Sequence, residues 1–258
     1  MKQHFTIRGV AIEPNVPKIC VPLMPRDLSG LDQALDGLNP TNYDIVEWRA
    51  DAMAASAVTD YRLGLTRLRQ RLGESVPILF TLRTRAQGGA FLGSAKEYAA
   101  AVGHIAALDA ADMVDIELSA GEDIIRAVTD TTISNRSRII VSHHNFEKTY
   151  PTEDIVKIYE HMFNLGADIA KIALMAQNFE DCLTAVQSAA AVRRRYPEHA
   201  IIMTSMGRYG LMSRIMAQEF GSAITFGASM PGGPSAPGQI SLRDTRLILD
   251  IIKKYTEF

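Results

Sequence analysis

Apolar residues fall along this chain in short runs, separated by longer stretches with helical spacing. KICVPLM (18–24), YDIVEWRAD (43–51), PILFTLR (77–83) and MVDIELS (113–119) are the runs of the first half. RIIVSHH (138–144), DIAKIALM (168–175), AIIMTSM (200–206) and AITFGAS (223–229) continue the series. Short apolar runs bounded by breakers predict strands buried on both faces, as in a parallel sheet. Between them, stretches such as SAKEYAAAVGHIAALDAA (94–111) and TEDIVKIYEHMFNLGA (152–167) set apolar residues three and four apart, which predicts helices. Eight strand–helix units on an even pitch predict a (β/α)8 barrel, an α/β fold. A doubly wound open sheet fits less well, because its first strand usually leads into a glycine fingerprint, and here it leads into PLMPRDLSG. Residues 4–14 predict a small hairpin that plugs the N-terminal end of the barrel. With no linker or low-complexity tract, residues 1–258 read as a single barrel domain.

Composition narrows the class without changing the fold. Apolar residues make up 47% and charged residues 22%, enough for a sizeable core. A net charge of -2 points away from nucleic acid and from anionic membranes as partners. No stretch approaches the roughly 18 apolar residues of a membrane span, and the N-terminus lacks the apolar core of a signal peptide, so a cytoplasmic protein is expected. Cys20 and Cys182 stand apart, outside any C-x-x-C pattern, and indicate neither a disulfide framework nor a zinc site.

A barrel concentrates function at the C-terminal ends of its strands, and the unusual polar residues of this chain fall there. The second run ends in Glu47, Trp48, Arg49, Ala50 and Asp51, and alternation puts the three charges on one face with Trp48 on the other. They are either an ion-pair network at the barrel mouth or contacts for a polar ligand. Arg83 ends the third run, the fourth carries Asp115 and Glu117, and the seventh leads through SMGRYG to Arg214. Arginines gathered from several strands suit an anionic, hydroxylated ligand, because the guanidinium fork matches a carboxylate. In the sixth run Lys171 is framed by Ile169, Ala170, Ile172 and Ala173. Such a lysine is salt-bridged to Asp115 or Glu117, or points outward with its stem snorkelling between helices, or is a nucleophilic amine kept partly neutral by burial and neighbouring arginines. The fifth run ends in Ser142, His143, His144 and Asn145, and only one of the two histidines can face inward. The pair makes a poor metal chelate; beside a buried lysine, a general acid–base role fits better. The loop MPGGPSAPGQ (230–239), with Ser235 and Gln239, predicts a lid over the active-site face.

Taken together, EWRAD, TLRT, GADIAKIALM, TSMG, SRIMAQEFGSAITFGA and SAPGQIS resemble the type I 3-dehydroquinate dehydratases, in that family's order and spacing and over nearly the whole barrel. The resemblance implies dehydration of 3-dehydroquinate to 3-dehydroshikimate, in the shikimate pathway (aromatic amino acid biosynthesis) or in quinate catabolism, through a lysine Schiff base. It implies no metal, no diffusible cofactor and a homodimer. Carried over residue by residue, it makes Lys171 the imine lysine and His144, not His143, the acid–base residue. Arg214, Ser235 and Gln239 would hold the substrate carboxylate, and Glu47, Arg49 and Arg83 the ring hydroxyls and ketone side. Two positions depart from the family pattern. Gln87 stands where an acidic residue is usual, and Asn145 where aspartate is common; both exchanges are expected to remove negative charge near His144. The residues themselves leave two other readings open: a sugar-phosphate aldolase with a strand-six lysine, and a non-catalytic barrel that senses quinate-like acids.

Overall fold

The eight apolar runs become eight parallel strands, each followed by a helix. The computed structural model describes residues 5–53, 58–108, 110–132, 137–229 and 233–256. A two-stranded antiparallel hairpin, β1 (Phe5–Ile7) and β2 (Val10–Ile12), comes first. Then follow β3 (Lys18–Leu23), β4 (Ile45–Arg49), β5 (Ile78–Thr81) and β6 (Met113–Glu117). The series ends with β7 (Arg138–Asn145), β8 (Ile169–Met175), β9 (Ala200–Met206) and β10 (Ile224–Phe226). The ladder runs β10-β3-β4-β5-β6-β7-β8-β9, and each neighbouring pair in it is parallel. The seam between β9 and β10 closes through a bridge between Ile201 and Ser222 and through the Ala223 amide, which donates to the Ile201 carbonyl at 2.8 Å. The predicted (β/α)8 barrel is therefore the observed fold.

The helices are α1 (Leu28–Asp36), α2 (Val58–Leu72), α3 (Ala95–Ala107) and α4 (Glu122–Thr132), then α5 (Thr152–Asn164), α6 (Phe179–Arg195), α7 (Leu211–Ile215) and α8 (Leu242–Thr256). Local chemistry sets their starts. Ser94 and Glu97 form a reciprocal capping box on α3, and Asn178 caps α6 through the Asp181 amide. Trp48, on the outer face of β4, packs edge-on to Tyr61 and Phe80. Its ring lies against Gly64 of α2, where an added Cβ would stand 2.1 Å from it, so only glycine lets the helix pass.

At the base of the barrel, Asp44, Asp112 and Asp168 repeat one device. Each stands just before a strand, and its carboxylate accepts the amide of Ile19, Ile78 or Ile139 near the start of the preceding strand, at 2.7–2.8 Å. Strand-edge amides that the ladder leaves over thus find partners. Inside, the lower layer is wholly apolar: Ile45, Leu79, Met113, Ile140, Ile169 and Ile202 are fully buried and pack with Ile7 and Ile12 of the hairpin. The predicted plug is present over residues 5–12, while residue 4 lies outside the described residues. Arg8, at the tip of the hairpin, pairs with Glu74 and Asp112 and ties the plug to the barrel wall.

Candidate active site

The predicted strands 43–51 and 113–119 both give way to a 3-10 turn at their C-terminal ends, at Ala50–Ala52 and Leu118–Ala120. The turn after β4 buries Asp51, which accepts the backbone amides of Arg83 (3.2 Å) and Ala90 (3.0 Å). It also chelates Arg49 through two bonds of 2.8 Å. Asp51 therefore ties the β4 and β5 ends together and spends its charge on Arg49.

Arg83 is 3% exposed and reaches across the barrel interior. Its guanidinium donates to Asp115 (2.9 Å), Glu117 (3.2 Å) and the Ser142 hydroxyl (2.9 Å), on β6 and β7. Burial alone would lower the Arg83 pKa, but the carboxylates of Asp115 and Glu117 more than reverse it and push it up. Burial would likewise raise the Asp115 carboxyl; Arg83, Lys171 and the Ser142 hydroxyl hold it below its ordinary value instead. The ion-pair network that the sequence allowed is real, and it extends from β4 to β7.

Lys171, on β8, projects into the middle of this ring and is 6% exposed. Its amine lies 3.7 Å from Asp115 and 3.9 Å from Glu47, within ion-pair reach of both but beyond hydrogen-bond distance. Of the two partners expected from sequence, Asp115 is therefore found, while Glu47 takes the place of Glu117. The Phe226 ring lies 4.3 Å from the amine on the opposite side. Of the arginines around it, Arg49 and Arg83 are themselves paired with carboxylates. Glu47 also accepts the Thr81 hydroxyl at 2.8 Å.

The two histidines separate as strand alternation requires. His144 lines the cavity, whereas His143 faces outward, stacked on Tyr150 with its Nε2 3.2 Å from that hydroxyl. Gln87 buries its amide against His144, its Oε1 meeting the backbone N–H at 2.9 Å and Nδ1 at 3.1 Å. Burial, then the positive charges of Arg83, Lys171 and Arg49, push the His144 pKa well below 6.5, so the ring is neutral at neutral pH. Asn145 behaves differently from expectation. Its side chain donates to Tyr150 (2.7 Å) and accepts the amides of Glu147 and Lys148, so it shapes the turn after β7 on the side of His143. Of the two departures from the family pattern, only Gln87 engages His144.

Arg214, in α7, is 3% exposed, yet among the described residues no carboxylate pairs with it. One nitrogen donates to the Pro237 carbonyl at 3.1 Å, and Nε is buried without a partner. Burial lowers its pKa to about 10, which leaves it a cation at neutral pH. Residues 230–232 of the predicted lid lie outside the described residues; the rest of the loop seats on the barrel. Gly207 donates to the same Pro237 carbonyl at 3.2 Å. Gly238, at φ +80°, lies so close to the Gly207 carbonyl that a Cβ would stand 2.5 Å from it. Ser235 and Gln239 hold one another, the Ser235 amide to Oε1 at 2.7 Å and Nε2 to the Ser235 hydroxyl at 2.9 Å.

These groups enclose a cavity of about 490 Å³, mouth included, lined by Glu47, Arg49, Arg83 and Gln87 on one side and by Arg214, Ser235 and Gln239 on the other. All of the sequence-predicted site residues line it. Sequence reasoning missed Phe226, Thr204 and the turn residue Ser119, which bonds Gln87. Alternation along Asp115, Glu117 and Ser119 was the available signal for the last.

A barrel mouth with a central lysine, a neutral imidazole and an unpaired guanidinium defines the class: a (β/α)8-barrel enzyme for a small anionic substrate. The chain belongs to the type I 3-dehydroquinase family, whose model matches residues 19–256. A 3-dehydroquinate dehydratase of Syntrophotalea carbinolica is 34% identical over 97% of this chain and 98% of its own. Two crystal structures superpose closely, both 32% identical. That of a type I 3-dehydroquinate dehydratase from Clostridium difficile with covalent modified comenic acid covers 98% of this chain and 99% of its own at TM-score 0.92. That of 3-dehydroquinate dehydratase from Geobacillus kaustophilus covers all of both chains at TM-score 0.91. The family match decides against the aldolase and the non-catalytic readings.

Proposed function

We propose that this chain dehydrates 3-dehydroquinate to 3-dehydroshikimate, the shikimate-pathway step, by covalent catalysis at Lys171. The observation that carries the assignment of roles is that the buried Lys171 amine shares one cavity with Arg214, whose buried Nε has no partner among the described residues. The substrate carboxylate settles on Arg214, with Ser235 and Gln239 beside it, and supplies the counter-charge that this guanidinium lacks. Arg49, Arg83 and Glu47 address the ring hydroxyls and the ketone edge with the donors and acceptors left over from their own pairs.

Lys171 adds to the C3 carbonyl, and loss of water gives the iminium. That cation acidifies the neighbouring C2–H bond, and the electrons of that bond flow into the nitrogen as His144 takes the proton at Nε2. Return of those electrons expels the C1 hydroxyl, which leaves as water with the proton from His144. Hydrolysis of the imine then consumes one water and frees the lysine, so one water is released overall. His144→Ala should stall the cycle after imine formation. The same reading has the enzyme working in the cytoplasm as a homodimer; Leu247, Ile251 and Tyr255, exposed along α8, offer an apolar face for pairing, and light scattering checks it.

Borohydride reduction in the presence of dehydroquinate, followed by peptide mass mapping, tests the assignment. A stable adduct on Lys171 is the expected result. Turnover without any trapped lysine, or an adduct on another lysine, would remove the covalent role from Lys171.

A further inference from the structure

Gln87 holds His144, but an amide has two ends, and only one of them suits a base. With the oxygen toward the ring, Nδ1 carries a proton and Nε2 keeps its lone pair for the cavity. With the nitrogen toward the ring, Nδ1 becomes the acceptor and the proton moves to Nε2. Which end faces the histidine is decided by the rest of the hydrogen-bond network.

That network begins at Glu117, fully buried on β6. Its carboxylate accepts the Thr84 amide (2.8 Å) and Arg83 (3.2 Å) on one oxygen, and the hydroxyls of Thr84 (2.6 Å) and Ser119 (3.2 Å) on the other. A carboxylate paired with a guanidinium only accepts, so the Ser119 hydroxyl donates its hydrogen to Glu117. The serine oxygen is then left as an acceptor, and it meets Gln87 Nε2 at 2.8 Å. The amide nitrogen is thereby committed to Ser119 and the oxygen to His144. The backbone N–H of His144, a fixed donor, favours the same orientation from the other end.

We infer that Ser119, anchored by Glu117, is a positioning residue that orients the Gln87 amide and so holds His144 as the Nδ1–H tautomer with Nε2 free for proton transfer. This inference rests on the reading of His144 as the base. It explains how a neutral side chain at position 87 serves the histidine: the direction of its hydrogen bonds is inherited from a carboxylate two links away. The positive charges near the ring, Arg83, Lys171 and Arg49, all disfavour the imidazolium and so favour a neutral ring, whose tautomer the Gln87 contact then reads.

Ser119→Ala removes the acceptor for Gln87 Nε2 and leaves only the His144 N–H to orient the amide. The expected result is a fall in kcat of about tenfold, at or below the low end of acid–base losses, with KM moving less than about threefold. Nitrogen NMR of selectively labelled histidine, run on the free enzyme, should show Nδ1–H alone in the wild type and a mixture with Nε2–H in the variant. Ser119→Thr, which keeps the hydroxyl, should restore both kcat and the single tautomer. An unchanged kcat in Ser119→Ala, a lowered kcat with the tautomer unaltered, or a wild-type enzyme carrying Nε2–H would each overturn the inference. The function reading has its own check. If His144→Ala kept full turnover, His144 would not be the base, while the tautomer spectra would still report on Ser119.

Discussion

On the β4–β7 side of the cavity both guanidinium groups meet carboxylates; on the α7 side Arg214 meets, among the described residues, a backbone carbonyl and no carboxylate. Arg49 is chelated by Asp51, and Arg83 is shared by Asp115 and Glu117. That wall is electrically complete before any ligand arrives, and its geometry is held by hydrogen bonds whose partners come from four consecutive strands. Arg214 is just as buried but keeps a buried Nε without a partner. A cation withdrawn from water without a counter-ion costs free energy that an incoming carboxylate recovers. The first wall is scaffold that also touches the ligand; the second gives up stability in order to bind.

Substitutions can break this contrast or sharpen it. Lys171→Met should have the largest effect, lowering turnover by several orders of magnitude, as loss of a nucleophile does elsewhere. Stability should move by only about 1–2 kcal/mol, since Met fills a similar volume and Arg83 still balances Asp115. Near-wild-type turnover would mean that the amine belongs to the scaffold. Arg83→Met should cost about 3–5 kcal/mol of folding free energy by urea denaturation, because Asp115 and Glu117 would stay buried without their cation. Arg214→Met should show the reverse pattern. We expect kcat/KM to fall by about 2–4 kcal/mol, in the range for losing one partner of a buried charge pair, while the urea midpoint stays level or rises. If both arginine variants were equally destabilised, the two walls would not differ in kind.

A smaller effect is expected at the histidine. Gln87→Glu would set an anion against His144, favour its imidazolium and raise its pKa from the depressed value, so the base form would be lost at a higher pH. The acidic limb of the kcat/KM profile should therefore move upward by about half a unit to two units. A limb that stays put or moves down would mean that the ring does not sense position 87. His143→Ala should matter least, with less than about a tenfold change, because its ring faces Tyr150 and not the cavity.

How much of this could be read from residues alone varies with the kind of force involved. Strands came through clearly: RIIVSHH marked β7 to within one residue, because apolar runs between breakers record burial on both faces. AITFGAS was read too long. β10 stops at Phe226, where the Gly227 amide turns to the Cys20 carbonyl and Leu242 packs against Gly227, a tertiary contact that no local pattern encodes. Lys171 and His144 stood out because a charge or an imidazole on a buried strand is conspicuous, whereas Gln87 and the role of Arg214 came from the resemblance to the family pattern. Arg83 was equally conspicuous, but its partners lie 32 to 59 residues away in sequence, so its commitment to Asp115, Glu117 and Ser142 became visible only in space. Asn145 was grouped with Gln87 as a loss of charge beside the histidine. The turn it builds with Glu147 and Lys148 separates the two, because strand alternation sends its side chain the other way.

The hairpin plug has a consequence for traffic. With Ile7 and Ile12 packed into the base and Arg8 pinning the hairpin to Asp112, the hairpin closes the N-terminal end of the barrel, and the doorway to the cavity is on the side of the strand ends and of Ser235, Ala236 and Gln239. Everything that enters or leaves must share that doorway: the substrate coming in, the water eliminated from it, the water that hydrolyses the imine, and the product. If the loop gates that doorway, residence time would follow how often the Pro237 carbonyl releases Gly207 and Arg214, the two hydrogen bonds that hold the loop down.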